Sequence, residues 1–287
     1  MSSLKLLLRP ATKWTVPRRS IHSTNVFRNA AEPETEAAAA RAERTMTRFW
    51  KRAGVKEDKD SITVVLDQRN LRTPSKNVVS FPLKQRELAL LTAAEWDAQT
   101  KNLKAHTLPL TSIVARAIDG IDPSNAEDPT VRGAVIDKLM HYFDTDAICY
   151  HEEYPPILTD LQDKYWKPIL SWAENKFDVK INTTTDIFAI TQPQETKDKF
   201  RAIIEKMGPL ELAAFEKAVM SSKSFLIGFV LVHKGVSVEN AACAAQVEMT
   251  AQMDRWGEVE DSHDVEREYI RQTLGSVAIC LLDKHQG

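Results

Sequence analysis

The chain has 287 residues, with 38 Lys or Arg against 40 Asp or Glu, a formal net charge of -2, and 43% hydrophobic residues. That length holds one large domain or two smaller ones, and the apolar share supports a sizeable core. The near-neutral balance excludes a general nucleic-acid binder, and only 9 glycines argue against folds built on many tight turns and glycine-rich phosphate loops. Cys149, Cys243 and Cys280 are far apart and form no C-x-x-C pair. A zinc ribbon or thioredoxin-type site is therefore not expected, and the usage fits a reducing compartment. The longest apolar run, Phe225 to Val232, has eight residues, far short of the ~20 that cross a bilayer.

Residues 1–30 carry Lys5, Arg9, Lys13, Arg18, Arg19 and Arg28 and no carboxylate, with Leu4, Leu6, Leu7 and Leu8 on one apolar face. An Arg- and Ser-rich, acid-free amphipathic start describes a mitochondrial presequence. Such a cationic helix is drawn to anionic membrane surfaces and by a potential negative inside the matrix. Cleavage after Ile21 would remove five basic residues and leave 33 basic against 40 acidic, a mature balance of -7. Residues 31–45 are an Ala/Glu-rich linker without an apolar face.

An α+β domain is expected over residues 46–124. Ser61 to Leu66 alternates and is β-branched, as a half-buried strand requires. Asp67 to Asn70 reads as a turn, Leu71 to Pro74 as a short strand and Asn77 to Phe81 as a third. Together they predict a small antiparallel meander in which Pro74, lacking a donor, ends its strand or lies on an edge. After Pro82 the period becomes helical through Gln99. A second helix follows Pro109, where Leu110, Ile113, Val114, Ala117, Ile118 and Ile121 make a single apolar stripe. Strands followed by helices, rather than alternating with them, give the α+β class. Asp122 to Asn125 breaks the pattern.

Residues 125–287 read as a mainly α-helical C-terminal domain. Helical patterns start after Asp128-Pro129, run from Leu158 to Phe177, follow Pro193, and extend over the apolar stretch Leu210 to Val232. Ser237 caps a helix running to about Trp256. The last segment, Asp264 to Leu282, is helical, with Val277 to Leu281 also able to pair as a strand.

Chemistry-bearing motifs are scarce. There is no P-loop, no GxGxxG and no GxSxG, and neither a catalytic, a cofactor-binding nor a metal site is expected. His151-Glu152-Glu153 lacks a second His at the spacing of a zinc helix and reads as a polar turn. Asp144, Asp146, Glu152 and Glu153 form an acidic neighbourhood read as charged surface, and the run from Asp254 to Glu266 as a solvated connection. His263 beside Asp264 has no nucleophile nearby. Trp96 and Trp256 each end a helix beside acids, a place where tryptophan serves packing or anchors a contact. Glu248 shares a helix face with Ala241, Ala244, Ala245 and Gln252. Periodicity alone makes it an exposed helix carboxylate, and the sharper alternative is a single charge in a shallow docking surface.

The order of several short motifs resembles a known family. Leu66, Asp67, Arg69, Leu71, Thr73 and Pro74 fit L-D-x-R-x-L-x-T-P. Glu95, Trp96 and Gln99 fit E-W-x-x-Q, and Pro109 and Thr111 fit P-x-T. Trp256-Gly257 and His263-Asp264 follow in the C-terminal part. From about residue 46 onward this is similar to the mitochondrial ATP synthase assembly chaperones that act on the alpha subunit of the catalytic head, with residues 258–261 like the fungal form. The resemblance implies a non-enzymatic matrix protein that shields the unassembled alpha subunit and releases it to the beta subunit. It implies no cofactor, nucleic acid, small-molecule substrate or stable membrane insertion. It also points to Glu248 and Trp96 as client-binding candidates, with Gln252 and Trp256 beside them. A matrix enzyme with an acid/base site around Asp144, Glu152 and Glu153 or His263 and Asp264 is the alternative class.

Overall fold

The β-branched run Ser61–Leu66 forms the central strand of a four-stranded antiparallel sheet. The structure, a computed structural model, describes residues 47–125, 128–186 and 190–282; the presequence and linker expected over residues 1–45 lie outside the described residues. The central strand, β2, pairs on one side with β1, Ala53–Glu57, in the register Val55↔Val64. On its other side it pairs with the two-residue β3, Arg69–Asn70, and with β4, Ser80–Pro82, through Ile62↔Phe81. Period-two alternation sends Ile62, Val64 and Leu66 into the core.

The meander is thus present with altered bounds. Leu71 to Pro74 contributes a single bridge, Arg72↔Val78, and the third run joins β2 as a regular ladder only from Ser80. Strand β1 was not expected. Its Ala-Gly-Val-Lys-Glu sequence has one β-branched residue, and it is extended because the open edge of β2 supplies a ladder of hydrogen-bond partners.

The ten α-helices among the described residues follow in order. Helix α1, Arg86–Asp97, follows a 3-10 turn at Leu83–Gln85 and covers β1 and β2. Helix α2, Pro109–Arg116, has Pro109 in its first turn and widens into a π-helical turn at Ala117–Ile121. Its apolar stripe is buried at Leu110, Ile113, Val114, Ala117 and Ile121. Helix α3 is Val131–Asp144, α4 Pro156–Phe177 and α5 Gln194–Glu205.

The apolar stretch expected as one helix over 210–232 is two, α6 at Pro209–Ser222 and α7 at Phe225–Val232. Lys223 takes a left-handed conformation (φ 57°), and the Ser224 hydroxyl accepts from the Ile227 amide as the cap of α7. The break folds α7 back on α6. All eight residues of α7 are buried, and a Cβ on Gly228 would stand 2.9 Å from Val219 Cγ2. Phe143, Phe200, Phe215, Phe225 and Phe229 pack ring to ring about it. Burial stabilises the fold by roughly 1.5–3 kcal/mol for each fully buried large apolar side chain of this cluster.

Helices α8, Val238–Ala245, and α9, Val247–Trp256, replace the single helix expected from Ser237 to Trp256. The final helix, α10, His263–Cys280, includes Val277 to Cys280, which is helical rather than extended. Helix α10 packs on α2, α6 and α8, and α2 packs on α6. Among the described residues, no helix is long and apolar enough to cross a membrane.

Candidate functional site

The N-terminal motif residues build a scaffold. Glu95, near the end of α1, accepts from the Leu110 and Thr111 amides at 2.7 and 2.9 Å and from the Thr111 hydroxyl at 2.9 Å. It satisfies donors that the first turn of α2 leaves open. Burial raises its pKa, against the lowering effect of those hydrogen bonds. Trp96 is buried, donates its indole N–H to Thr111 Oγ1 at 2.9 Å, and packs on Trp50, whose own indole donates to the Trp96 carbonyl. Gln99 joins the Glu95 carbonyl to Thr107. Asp67, at φ 54°, accepts from the Lys51 and Arg52 amides, which lower its pKa. Thr73 donates to Asp119 at 2.6 Å and accepts from the Asn77 amide. The spaced letters of the motifs are thus caps and turn locks that hold α1, α2 and the sheet in one arrangement.

A groove of about 410 Å³ lies in the C-terminal half. One wall is the α6–α7 connection at Ser222, Lys223 and Ser224; α9 supplies Glu248, Met249 and Gln252; the start of α10 supplies His263 and Glu266. The bend between α8 and α9 forms its inner end. There Gln246 leaves helical geometry (φ -116°, ψ 14°), and the indole of Trp166 donates to the Ala244 carbonyl at 2.8 Å. Gln246 is only 8% exposed, and among the described residues its Nε2 is the one buried side-chain polar atom without a hydrogen-bond partner.

The wall of the groove is anchored by Asp146. The acidic composition of its neighbourhood predicts a surface position, and the structure corrects this: the residue is 1% exposed. Its carboxylate accepts from the Ile148 amide at 3.2 Å, the Ser224 hydroxyl at 3.0 Å and the Leu226 amide at 2.8 Å. It so caps both the turn at Ala147–Cys149 and the first turn of α7. Burial outweighs these bonds and pushes its pKa up to about 6.

The structure therefore groups two of the four sequence candidates. Glu248 and Gln252 line the groove and are exposed. Trp256, at the end of the same helix, is 71% exposed, with the Arg255 guanidinium over its ring. Trp96 is not a groove residue. The acid/base candidates are dispersed. Asp144 pairs with Lys197, Glu152 and Glu153 are exposed, and His263 Nδ1 accepts from the Val259 amide at 3.1 Å. No group of three or more His, Cys, Asp or Glu among the described residues is placed to hold a metal ion.

Sequence reading missed Gln246, Ser224 and Asp146 as parts of one site. Ser224 before an apolar run is a cap signal that was available. No Gly or Pro marks a helix break at Gln246; apart from the β-branched Val247, its neighbours Ala244, Ala245, Glu248 and Met249 are good helix formers.

The model of the ATP12 chaperone protein family matches residues 47–174. Protein atp12, mitochondrial, of Schizosaccharomyces pombe is 33% identical over 261 residues, covering 88% of each chain. Protein ATP12, mitochondrial, of Saccharomyces cerevisiae is 29% identical over 288 residues, covering 88% of this chain and 89% of that one. The crystal structure of Atp12 from Paracoccus denitrificans matches with a TM-score of 0.68 at 25% identity, over 83% of this chain and 97% of that one. With a relative 33% identical over 88% of both chains and a family match over residues 47–174, the chain belongs to the ATP12 chaperone family.

Proposed function

We propose that this chaperone acts in assembly of the mitochondrial ATP synthase, in the matrix, by holding the unassembled alpha subunit of the catalytic head and yielding it to the beta subunit. The observation that carries the reading is the placement of exposed apolar side chains. Of the ten large hydrophobic residues exposed among the described residues, four (Trp256, Val259, Val265 and Tyr269) fall within 256–269, next to the groove. A cluster of exposed apolar side chains set in a polar rim marks a partner interface, and tryptophan is enriched among interface anchors.

A subunit meant for a ring exposes an apolar face until its neighbour arrives, and such faces self-associate. Covering that face with moderate affinity, then losing it to a larger permanent interface, needs no nucleotide. Glu248, Gln252 and Trp256 form the client contact in this reading, and Trp96 serves it by keeping the N-terminal scaffold folded.

The test is affinity isolation of the protein from matrix extract of cells depleted of the beta subunit, alongside a light-scattering assay of purified alpha subunit. Alpha should be enriched on the chaperone and stay soluble in its presence. Equal aggregation with and without the chaperone overturns the reading.

A further inference from the structure

Two exposed surfaces of this chain carry opposite charge, and each presents an aromatic side chain. The first lies beside the sheet. Phe49 is 66% exposed, on a segment that is firmly held. The Arg48 guanidinium donates to the carbonyls of Trp50, Lys51, Asp97 and Gln99. The buried Trp50 donates to the Trp96 carbonyl, and the Lys51 and Arg52 amides donate to Asp67. An aromatic side chain on a fixed backbone loses little freedom on binding, as an interface anchor requires. The Arg69 guanidinium stands 5.9 Å from the centre of the Phe49 ring. Beside them opens a groove of about 370 Å³, lined in part by Leu66 and roomy enough for one large side chain. The Lys51 and Arg52 side chains are exposed, and among the described residues neither has a hydrogen-bond or ion-pair partner. Residues 47–86 hold 10 basic against 4 acidic side chains, so this tip attracts negative charge.

The second surface is the apolar stretch that ends α9 and begins α10. Trp256, Val259, Val265 and Tyr269 are exposed there. Between and beside them stand Asp254, Glu260, Asp261, Asp264 and Glu266, exposed and without a hydrogen-bond or ion-pair partner for their carboxylates among the described residues. An apolar surface of this kind favours being covered, and its charge selects what can cover it. Two copies meeting through this same stretch would bring two acidic runs together, and two basic tips would repel likewise. A two-fold dimer through either surface is therefore disfavoured. The tip against the stretch is attractive. It also brings Phe49 and Arg69 to Trp256, uniting aromatic faces with a guanidinium.

We infer that copies of this chain associate head to tail, the tip around Phe49 of one copy seated on the 254–269 stretch of the next. Trp256 of the second copy enters the groove beside Phe49, and Lys51, Arg52 and Arg69 face its carboxylates. The contact is small, hence weak and reversible, and sensitive to salt. Because the two surfaces differ, a copy that has docked still offers its own free stretch or tip, and the association runs on into short chains of copies. The contact covers Trp256, so the idle protein is masked at a residue of the client surface. That consequence rests on the reading of the protein as a chaperone of the alpha subunit; the contact itself does not.

The test is sedimentation velocity of the full-length chain over a series of concentrations. The weight-average sedimentation coefficient should rise with concentration at low salt and lose that rise at about 0.5 M salt. Two double variants reverse charges that make no ion pair within the fold: Lys51→Glu with Arg69→Glu on the tip, and Asp254→Lys with Glu260→Lys on the stretch. Each alone should weaken association by about tenfold or more while leaving the thermal transition in place. Mixed in equal amounts, the two should associate again, because the reversed tip meets the reversed stretch. Phe49→Ala should weaken association about fivefold.

A sedimentation coefficient that does not rise at low salt overturns the inference, and so does a rise that persists at high salt. Variants that each associate like the wild type would place the contact on another surface, and a mixture that stays monomeric would show that the tip and the stretch do not meet. Either result defeats the inference and leaves the capture of alpha subunit, measured separately, to decide the chaperone reading.

Discussion

Replacing Asp146 with Asn tests whether a buried carboxylate is what pins the wall of the groove. The unfolded chain releases this proton near the ordinary value of 3.8, whereas the folded protein holds it up to about 6. Between those values the native state binds more protons than the unfolded one, so the contribution of Asp146 to stability falls as pH rises through the window and is flat above it. The full difference is about 3 kcal/mol. An Asn side chain at this position cannot titrate. The stability of the wild type relative to Asp146→Asn should therefore decline by about 2.5 kcal/mol from pH 4 to pH 7, the remainder of the difference lying below pH 4.

Asn also presents an N–H₂ where an acceptor stood. The Leu226 amide, at 2.8 Å, and the Ile148 amide, at 3.2 Å, lean on opposite oxygens, and Asn can serve only one of them, which costs about 1–3 kcal/mol at every pH. Urea unfolding followed by tryptophan fluorescence at half-unit steps of pH measures both effects. Parallel pH profiles for the two proteins would refute the reasoning, because they would mean that Asp146 titrates alike in the folded and unfolded chains.

Three further outcomes are expected. Trp96→Ala should destabilise the fold by about 3–5 kcal/mol, since the side chain is buried between Trp50 and Thr111; protein refolded at low temperature should still capture alpha subunit, measured by co-sedimentation. Glu248→Lys should change stability by no more than about 0.5 kcal/mol, because the carboxylate is exposed and unpartnered among the described residues, yet should reduce client capture in a pull-down at low salt. Gly235→Ala should cost about 1–3 kcal/mol in urea unfolding, because a Cβ there would overlap the Trp172 indole and the ring would have to move.

Features set by neighbours along the chain are legible in the sequence itself. The alternation Ile62, Val64, Leu66, the stripe from Leu110 to Ile121 and the proline in the first turn of α2 all follow from local sterics and period, and each is where those rules put it. So is the cap at Ser237. The motif resemblance is legible for a related reason, because Asp67, Thr73, Glu95 and Thr111 each satisfy backbone or side-chain groups at short or fixed chain separation.

What lies between distant segments is not legible in the same way. Strand β1 exists because β2 has an edge to fill. The long apolar run breaks at Lys223 because folding α7 against α6 buries both faces at once. Asp146 is internal because residues 80 positions later bring it hydrogen-bond donors.

Composition, period and capping residues thus determined the class of fold, its principal helices and the central strand, since those depend on contacts a few residues apart. The groove was decided only in three dimensions. A helix bend at Gln246, a connection at Ser224 and two carboxylates, Glu248 and Glu266, on separate helices acquire meaning from proximity, and proximity between distant residues comes from how the core packs, which no local pattern encodes.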